Sequence, residues 1–238
     1  MYYFDNDSAI KSIGFIEKFC THTKGELAGK PFILEDWQKE IVGNIFGWKH
    51  KKTNLRKYRT VFIEVARKNG KTTLASSIAI LMLFMDKERG NQAGIVFEIA
   101  KGMILNSSEL LSRSKVFRNS ITHEAKGNYF QAISSDSKTK HGFNANCIIF
   151  DELHTQPNRD LWDTLTTSTG SRREPLTIAI TTAGYDRQSI CHEVYSYAKK
   201  VADGSIKDDT FYPVIYEADD EDDITLESTW KKANPNYG

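Results

Sequence analysis

Two short segments of this chain have residue types and a spacing that fit the hydrolysis of a nucleoside triphosphate. The first is the loop VARKNGKT at residues 65–72, between an apolar run typical of a strand and a longer one typical of a buried helix. The second is the acidic pair Asp151 and Glu152, which follows the apolar run 147–150. Backbone N–H groups of a loop that opens a helix bind phosphate oxygens, and ligands of open α/β sheets bind at the carboxyl ends of the strands. The two segments therefore predict one site for a nucleoside triphosphate, magnesium and an attacking water.

The residue types assign roles within this predicted site. Lys71 would reach the β- and γ-phosphates, and the Thr72 hydroxyl would hold magnesium. Asp151 would coordinate magnesium directly or through water, and Glu152 would polarise the attacking water. The remaining predicted nucleotide-binding positions of the loop and the first helical turn are Lys68, Asn69, Gly70 and Thr73.

Each motif alone has a plainer alternative. Val65 stands where the pattern G-x-x-x-x-G-K-[ST] has its first glycine, so the loop by itself leaves open a surface turn that contains G-K-T. The acidic pair by itself is also compatible with a strand that ends in a solvated turn. The order and context of the two motifs together favour the nucleotide site.

Composition places few limits on function. The net charge of +1 does not indicate a nucleic-acid partner. The three cysteines are far apart without a C-x-x-C pair, which predicts a reducing compartment and no disulfide framework. The histidines show no metal-ligand spacing. The apolar run 74–85 is shorter than the roughly 20 residues that span a bilayer, so we expect no membrane association.

Strand and helix patterns alternate through most of the chain and predict an α/β fold. We expect a P-loop NTPase core with a mostly parallel sheet covered by helices on both faces. Residues 1–59 are predicted to form an N-terminal helical segment, with Trp37 and Trp48 as anchors. Residues 60–216 would form the core. Within it, helices are expected at about 159–168 and 188–202, with strands at 176–182 and 211–216.

Several segments resemble the ATPase domain of the large terminase subunit of tailed bacteriophages. They are, in chain order, LEDWQ at 34–38, EVARKNGKT at 64–72, SSDSKT at 134–139, DELH at 151–154, AITTAG at 179–184 and WKKANP at 230–235. The resemblance covers most of the chain and implies an ATP-hydrolysing motor domain that packages double-stranded DNA, with ATP and Mg2+ bound at the loop. This family tolerates a residue other than glycine at the position of Val65.

The resemblance also implies roles that the motifs alone do not give. Gln38 would read adenine, with helix-start packing beside Trp37 as the alternative. Arg67 would stabilise the transferring phosphoryl group, although it is also compatible with a surface arginine. Thr181 and Thr182 would couple hydrolysis to movement, with their hydroxyls bonded to the water or to Glu152; strand-end capping is the alternative.

The implied partners are double-stranded DNA, a ring of identical subunits on the phage portal and the small terminase subunit, in the host-cell cytoplasm. The basic stretch 49–59 would contact DNA phosphates without reading sequence, or it is a solvated loop. Arg172 and Arg173 would form a charged turn, with an arginine finger to a neighbouring subunit as the alternative.

Three departures from the family pattern stand out. Residues 217–238 are predicted to be an exit linker toward a nuclease domain that is absent, because no second carboxylate cluster follows. A core strand expected after the loop helix has no clear counterpart, since a helix is predicted to begin near Asn91. Residues 94–99 would form that strand, or the fold would be compromised, or the sequence lacks a segment at this point. Lys140-His141-Gly142 stands where some relatives have an arginine finger, so no such role is assigned.

Two rival functions remain at this stage. A helicase-like DNA-dependent ATPase would share the core chemistry and the DELH box, although 238 residues leave no room for a second core domain. A truncated, non-catalytic nucleotide-binding fragment would fit the apparently missing strand and nuclease.

Overall fold

The computed structural model describes residues 1–86, 91–94, 96–133 and 144–237, with the backbone alone for 91–94. The helices are α1 (Asn6–Phe19), α2 (Asp36–Gly47), α3 (Lys71–Met85), α4 (Phe97–Asn106), α5 (Ser108–Leu111), α6 (Asp160–Thr167), α7 (Ile190–Ala202) and α8 (Glu227–Ala233). The strands are β1 (Tyr2–Phe4), β2 (Trp48–His50), β3 (Thr60–Glu64), β4 (Asn91–Gly94), β5 (Lys115–Val116), β6 (Ser120–His123), β7 (Asn128–Ala132), β8 (Ala145–Asp151), β9 (Leu176–Thr181) and β10 (Phe211–Ile215). Among the described residues, no helix has both the length and the apolar character needed to cross a membrane.

The main sheet has the strand order β10-β3-β9-β8-β4-β7-β6-β5. Strands β10 to β7 in this order are parallel, and β6 and β5 continue the sheet antiparallel. Strand β9 therefore lies between β3, which leads into the phosphate loop, and β8, which ends in the acidic pair. This order brings the three predicted functional segments to one edge of the sheet, as expected for a doubly covered α/β fold.

Alternate residues of the central strands pack on opposite faces of the sheet. In β8, Cys147 and Ile149 pack against one hydrophobic cluster, whereas Ile148 and Phe150 pack against another. The first cluster includes residues of α1 to α4, and the second includes residues of α6 and α7. Both faces are thus covered by helices, which confirms the predicted fold class and explains why the strand is apolar at consecutive positions.

Helix α3 is buried on nearly every face. It packs against α1, α4 and the sheet strands β4, β7, β8 and β9. Buried helices of this kind are apolar all round rather than amphipathic. The loop that precedes α3 is consequently held by a helix that cannot shift without disturbing the core.

The strand after α3 is present, but at a different place from the one predicted. Strand β4 covers Asn91–Gly94 and inserts between β8 and β7. The expectation of a helix from Asn91 and of a strand over 94–99 was wrong, because α4 begins at Phe97. The short polar sequence of β4 lacks the apolar run by which a central strand is recognised. The segments 134–139 and 140–142 lie outside the described residues.

The basic stretch before β3 is mostly engaged within the chain. Lys49 Nζ lies 2.7 Å from Asp5 Oδ2, and Lys57 Nζ lies over the rings of Tyr2, Trp48 and Tyr58. Arg56 is buried and donates to the carbonyl oxygen of Glu174. These contacts favour a structural role for much of the stretch over contact with DNA.

Candidate nucleotide site

The phosphate loop joins the end of β3 to the start of α3. The Val65 N–H donates to the carbonyl oxygen of Thr181 (3.1 Å), which ties the loop to β9. Gly70 is the N-cap of α3 with φ 73°, a left-handed conformation that glycine adopts without steric cost. Lys68 adopts the same left-handed conformation, with φ 68°, although its side chain makes this conformation sterically costly. The N-terminus of α3 is therefore presented to the loop, as an anion site requires.

Lys71 lies at the centre of the loop. Its side chain is only 5% exposed, and Nζ donates to the Ala66 carbonyl oxygen (3.3 Å) and lies 4.0 Å from Glu152 Oε1. Burial lowers the pKa of Lys71, whereas the nearby carboxylates of Glu152 and Asp151 oppose that shift. A buried ammonium whose partners among the described residues are a carbonyl and a more distant carboxylate is well placed to move to phosphate oxygens.

Asp151 ends β8 opposite the first turn of α3. Its carboxylate is buried and interacts with the side chain of Thr72, and Oδ1 makes no hydrogen bond within the described part of the chain. Burial raises the pKa of Asp151, and the Thr72 contact partly offsets that increase. A buried carboxylate oxygen without a partner beside a hydroxyl fits the oxygen ligands that Mg2+ takes alongside phosphates.

Glu152 adopts an unusual backbone conformation, with φ 53° and ψ 53°. This left-handed conformation is costly for a residue with a side chain and is found where function requires it. Glu152 Oε2 is buried, lies 3.3 Å from His154 Nδ1 and accepts no hydrogen bond within the described residues. The two oxygens thus differ: Oε1 lies 4.0 Å from Lys71 Nζ, and Oε2 lies beside His154 without a hydrogen bond within the described residues.

A hydroxyl and imidazole network connects the acidic pair to β9. The Thr181 hydroxyl donates to the Thr182 carbonyl oxygen (2.9 Å) and lies 2.9 Å from His154 Nδ1. The His154 N–H also donates to Thr181 Oγ1 (3.3 Å), and Thr182 Oγ1 lies 3.4 Å from Nδ1. The threonine hydroxyls therefore contact His154 instead of Glu152, and His154 stands between them. No role was predicted for His154, although it belongs to the DELH segment.

Gln38 and Arg67 differ in solvent exposure: Gln38 is buried, whereas Arg67 is exposed. Gln38 is 2% exposed, its Oε1 accepts from the Glu35 N–H (3.1 Å), and a methyl carbon placed on Gly70 would lie 3.5 Å from its Nε2. It therefore caps α2 and adjoins the loop at once. Arg67 is exposed, and its positive charge contributes to lowering the pKa of Lys71.

The described structure connects the predicted residue Asn69 to residues that the site prediction omitted. Asn69 is 3% exposed and contacts both Asn234 and Asn236 from the segment after α8. Asn236 in turn accepts a hydrogen bond from the Trp37 indole (2.6 Å). The quoted WKKANP segment was the only sequence signal for this contact, because the residues are far apart in the chain.

Arg172 and Arg173 lie away from the site. They precede β9, whose first residues pair with the start of β3, so they stand at the opposite edge of the sheet from the loop. The Arg172 guanidinium donates to the Asn144 carbonyl oxygen (2.6 Å). This geometry favours the charged turn.

A buried carboxylate beside the site is not explained by nucleotide binding. Glu64, the last residue of β3, is 6% exposed and lines a cavity of about 320 Å3 together with Ala183, Tyr195 and Glu217. Burial, followed by the charge of Glu217, raises the pKa of Glu64 from 4.5 to about 7. The folded chain therefore binds a proton here more readily than the unfolded chain does.

We expect Glu64→Gln to stabilise the protein at pH 8. Between pH 4.5 and 7 the folded state of the wild type holds the extra proton, so its stability falls as pH rises through this window. This pKa shift corresponds to a loss of about 3 kcal/mol of folding free energy above pH 7. Thermal unfolding at pH 5 and pH 8 measures it: the advantage of the variant should appear only at pH 8. An equal difference at both pH values would contradict the assignment.

Comparison with known proteins places these features in a family. The family model for the ATPase domain of the terminase large subunit matches residues 36–200, a range that contains all the predicted site residues from Gln38 to Thr182. The terminase large subunit of Enterobacteria phage HK97 is 29% identical over 242 residues, which cover 95% of this chain and 46% of that protein. Protein YmfN of Escherichia coli (strain K12) is 37% identical over 97 residues, covering 41% of this chain and 21% of that protein.

The fold has a counterpart among solved structures. The crystal structure of the HK97 bacteriophage large terminase aligns with a TM-score of 0.81 and 23% sequence identity, over 99% of this chain and 49% of that chain. The present chain thus spans about half the length of the HK97 protein.

Proposed function

Because this chain belongs to the family of terminase large-subunit ATPase domains, we propose that it hydrolyses ATP to drive double-stranded DNA into a viral procapsid. The observation that carries the proposal is the convergence of Lys71, Asp151 and Glu152 at one edge of the sheet, with Lys71 Nζ 4.0 Å from Glu152 Oε1. These are the charges that phosphoryl transfer to water needs: a cation for phosphate, a ligand for magnesium and a base for water.

Magnesium fits the residues of this edge. Thr72 and Asp151 would hold Mg2+, because they offer a hydroxyl and a buried carboxylate oxygen without a partner. The ion would neutralise charge on the phosphate oxygens of ATP. Mg2+ is commonly held by one or two protein oxygens together with substrate phosphates.

The remaining residues bind ATP and act on the γ-phosphate. Lys71 would exchange the Ala66 carbonyl for phosphate oxygens, and Arg67 would approach from the exposed side of the loop to offset developing charge. Glu152 would accept a hydrogen bond from the attacking water and orient it for attack on the γ-phosphorus. Gln38, beside Gly70, would contact adenine.

Three consecutive segments of the chain are proposed to have different parts in the motor domain. Residues 1–59 supply Gln38, residues 60–216 form the ATPase core, and residues 217–238 form an exit linker. The proposed partners are double-stranded DNA, identical subunits in a ring on the portal and the small terminase subunit. The setting would be the cytoplasm of the phage host.

Thr181 is proposed to hold the hydrolytic carboxylate in place through His154. Thr181→Val keeps the shape of the side chain but removes the hydroxyl that contacts His154 Nδ1. We expect kcat to fall about 10-fold with KM changed less than twofold, because ATP contacts remain while Glu152 loses its support. Thr177→Val is the matched control, on the same face of β9 at the far end. Equal kcat values for the two variants would remove Thr181 from the mechanism.

The function is tested by ATP turnover with and without double-stranded DNA. A motor should hydrolyse ATP faster on DNA, and the stimulation should weaken with salt, because phosphate contacts release counterions. Turnover that is indifferent to DNA at low salt would count against a packaging role.

The helicase-like alternative is favoured by one contact. His154 of the DELH segment meets Thr181 at 2.9 Å, and such a link between the acidic box and a neighbouring strand would also suit strand separation. Unwinding of a forked duplex separates the two functions. The packaging proposal predicts ATP turnover without unwinding.

A further inference from the structure

The phosphate loop holds a conformation that its own sequence does not favour. Lys68 has a positive φ of 68° although its side chain is exposed and makes no hydrogen bond within the described residues. A left-handed conformation costs a residue other than glycine on the order of 1 kcal/mol or more, and it persists where surrounding contacts impose it. The neighbouring residue Asn69 is the one that makes such contacts.

The buried carboxamide of Asn69 links the loop to the segment after α8. Its Nδ2 lies within hydrogen-bond distance of the Ala66 carbonyl (3.1 Å) and the Arg67 carbonyl (3.3 Å), which it holds across the turn. The same nitrogen lies 3.3 Å from Asn234 Oδ1. Its Oδ1 accepts the Asn236 N–H (3.3 Å). All the polar atoms of this side chain are therefore used either within the loop or on the C-terminal segment.

The other end of the contact is anchored on α2. The Trp37 indole N–H donates to Asn236 Oδ1 (2.6 Å), and its ring packs edge-on against Tyr216 with centroids 5.6 Å apart. Asn234 Nδ2 donates to the Trp230 carbonyl oxygen of α8 (3.0 Å). We call the connected side chains Trp37, Asn69, Asn234 and Asn236 the asparagine latch.

We propose that the asparagine latch positions the phosphate loop for ATP and transmits nucleotide occupancy to the segment after α8. The inference rests on the proposed function, since it concerns the same site. The latch side chains are positioning residues: they hold the loop carbonyls, and through them the loop N–H groups, in the conformation that receives phosphate. Coupling between two sites is reciprocal, so ATP that orders the loop also orders residues 234–236.

The test compares two tryptophans of the same region. Trp37→Phe keeps the aromatic packing and removes the N–H bonded to Asn236. Trp48 directly follows α2, and its indole N–H donates to Asn44 Oδ1 of that helix (3.1 Å). Trp48→Phe removes this hydrogen bond and leaves the loop unchanged. We expect Trp37→Phe to raise the KM for ATP about fivefold with kcat within twofold, and Trp48→Phe to leave both constants unchanged. Similar KM values for the two variants would overturn the latch.

A double-mutant cycle separates the latch from local damage to the loop. Asn69→Ala should raise KM, and adding Trp37→Phe should change it little further, because the first substitution has already released the segment. Independent effects would multiply, and that result would contradict a connected latch. Circular dichroism confirms that each variant is folded before the kinetics are compared.

Hydrogen exchange tests the connection without relying on hydrolysis. Without nucleotide, Asn69→Ala should accelerate exchange of the Asn236 amide, and in the wild type Mg-ATP should slow it. Unchanged exchange in Asn69→Ala would refute the latch even if the wild type is an active ATPase. A wild type that neither binds nor hydrolyses ATP, with accelerated exchange in Asn69→Ala, would refute the proposed function and the transmission, and would keep only the structural link.

Discussion

Glu152→Gln is expected to bind ATP normally and to hydrolyse it roughly 10²–10⁴-fold more slowly, the range for removal of a general base. Glutamine preserves the size of the side chain but is no longer an anion that can accept a proton from water. The left-handed backbone at Glu152 and the buried Oε2 indicate a side chain held for chemistry and not for packing. Single-turnover hydrolysis measures the chemical step, and fluorescent-nucleotide binding measures the affinity.

Glu193→Gln provides the matched control for this variant. Glu193 is an exposed carboxylate on α7 that pairs with Arg159 at 3.1 Å, away from the loop. Exposed pairs contribute little to stability, so turnover should stay within twofold of the wild type. If Glu152→Gln kept comparable turnover, another residue would have to orient the water.

Asp151→Asn is expected to lower turnover by about 100-fold or more while leaving the fold at least as stable as the wild type. The amide is a poorer magnesium ligand than a carboxylate, so the magnesium concentration for half-maximal activity should rise at least tenfold. Burial raises the pKa of Asp151, so without magnesium the charged form costs folding free energy above that pKa. Removing the charge should raise the melting temperature of the metal-free protein at pH 8.

This prediction is specific because Asp151→Asn should lower the activity and raise the stability of the metal-free protein. The folded protein favours the protonated carboxyl, so metal-free stability falls as pH rises through the window between the ordinary and the raised pKa. The stabilisation of Asp151→Asn should therefore shrink at acidic pH. Asp163→Asn, on α6, where the carboxylate is 46% exposed and pairs with Arg159, should change neither property appreciably. A variant that lost both stability and activity would indicate a structural role for Asp151.

The fold class could be predicted from the sequence because the central strands are apolar at consecutive positions and alternate with helices. Phe150 and Ile149 face opposite hydrophobic clusters, so a run without polar alternation predicts a strand covered on both faces. Strand β4 was misplaced because its sequence, NQAG, has no run of apolar residues and no β-branched residue. It is a strand because β8 and β7 supply hydrogen bonds on both sides, which no local pattern reveals.

The site was predictable where a recognisable motif contains the functional residue. It was unpredictable where single residues outside such motifs meet in the fold. Lys71, Thr72 and Asp151 come together as their motifs require. The contacts of His154 with Thr181 and of Asn236 with Asn69 were not predicted, because they join residues far apart in the sequence. Arg56 fits neither alternative left open for the basic stretch, DNA contact or a solvated loop, because its side chain is buried against Glu174 and Met82.

The most direct test of the central claim is magnesium-dependent ATP hydrolysis by the purified chain beside Lys71→Ala. Lys71 is buried at the loop and donates to the Ala66 carbonyl, so the alanine variant removes the proposed phosphate contact without touching the sheet. We expect turnover in the wild type that disappears when magnesium is chelated and is reduced at least about 100-fold in Lys71→Ala. Equal turnover in the two proteins, or a folded wild type that binds no ATP, would contradict it.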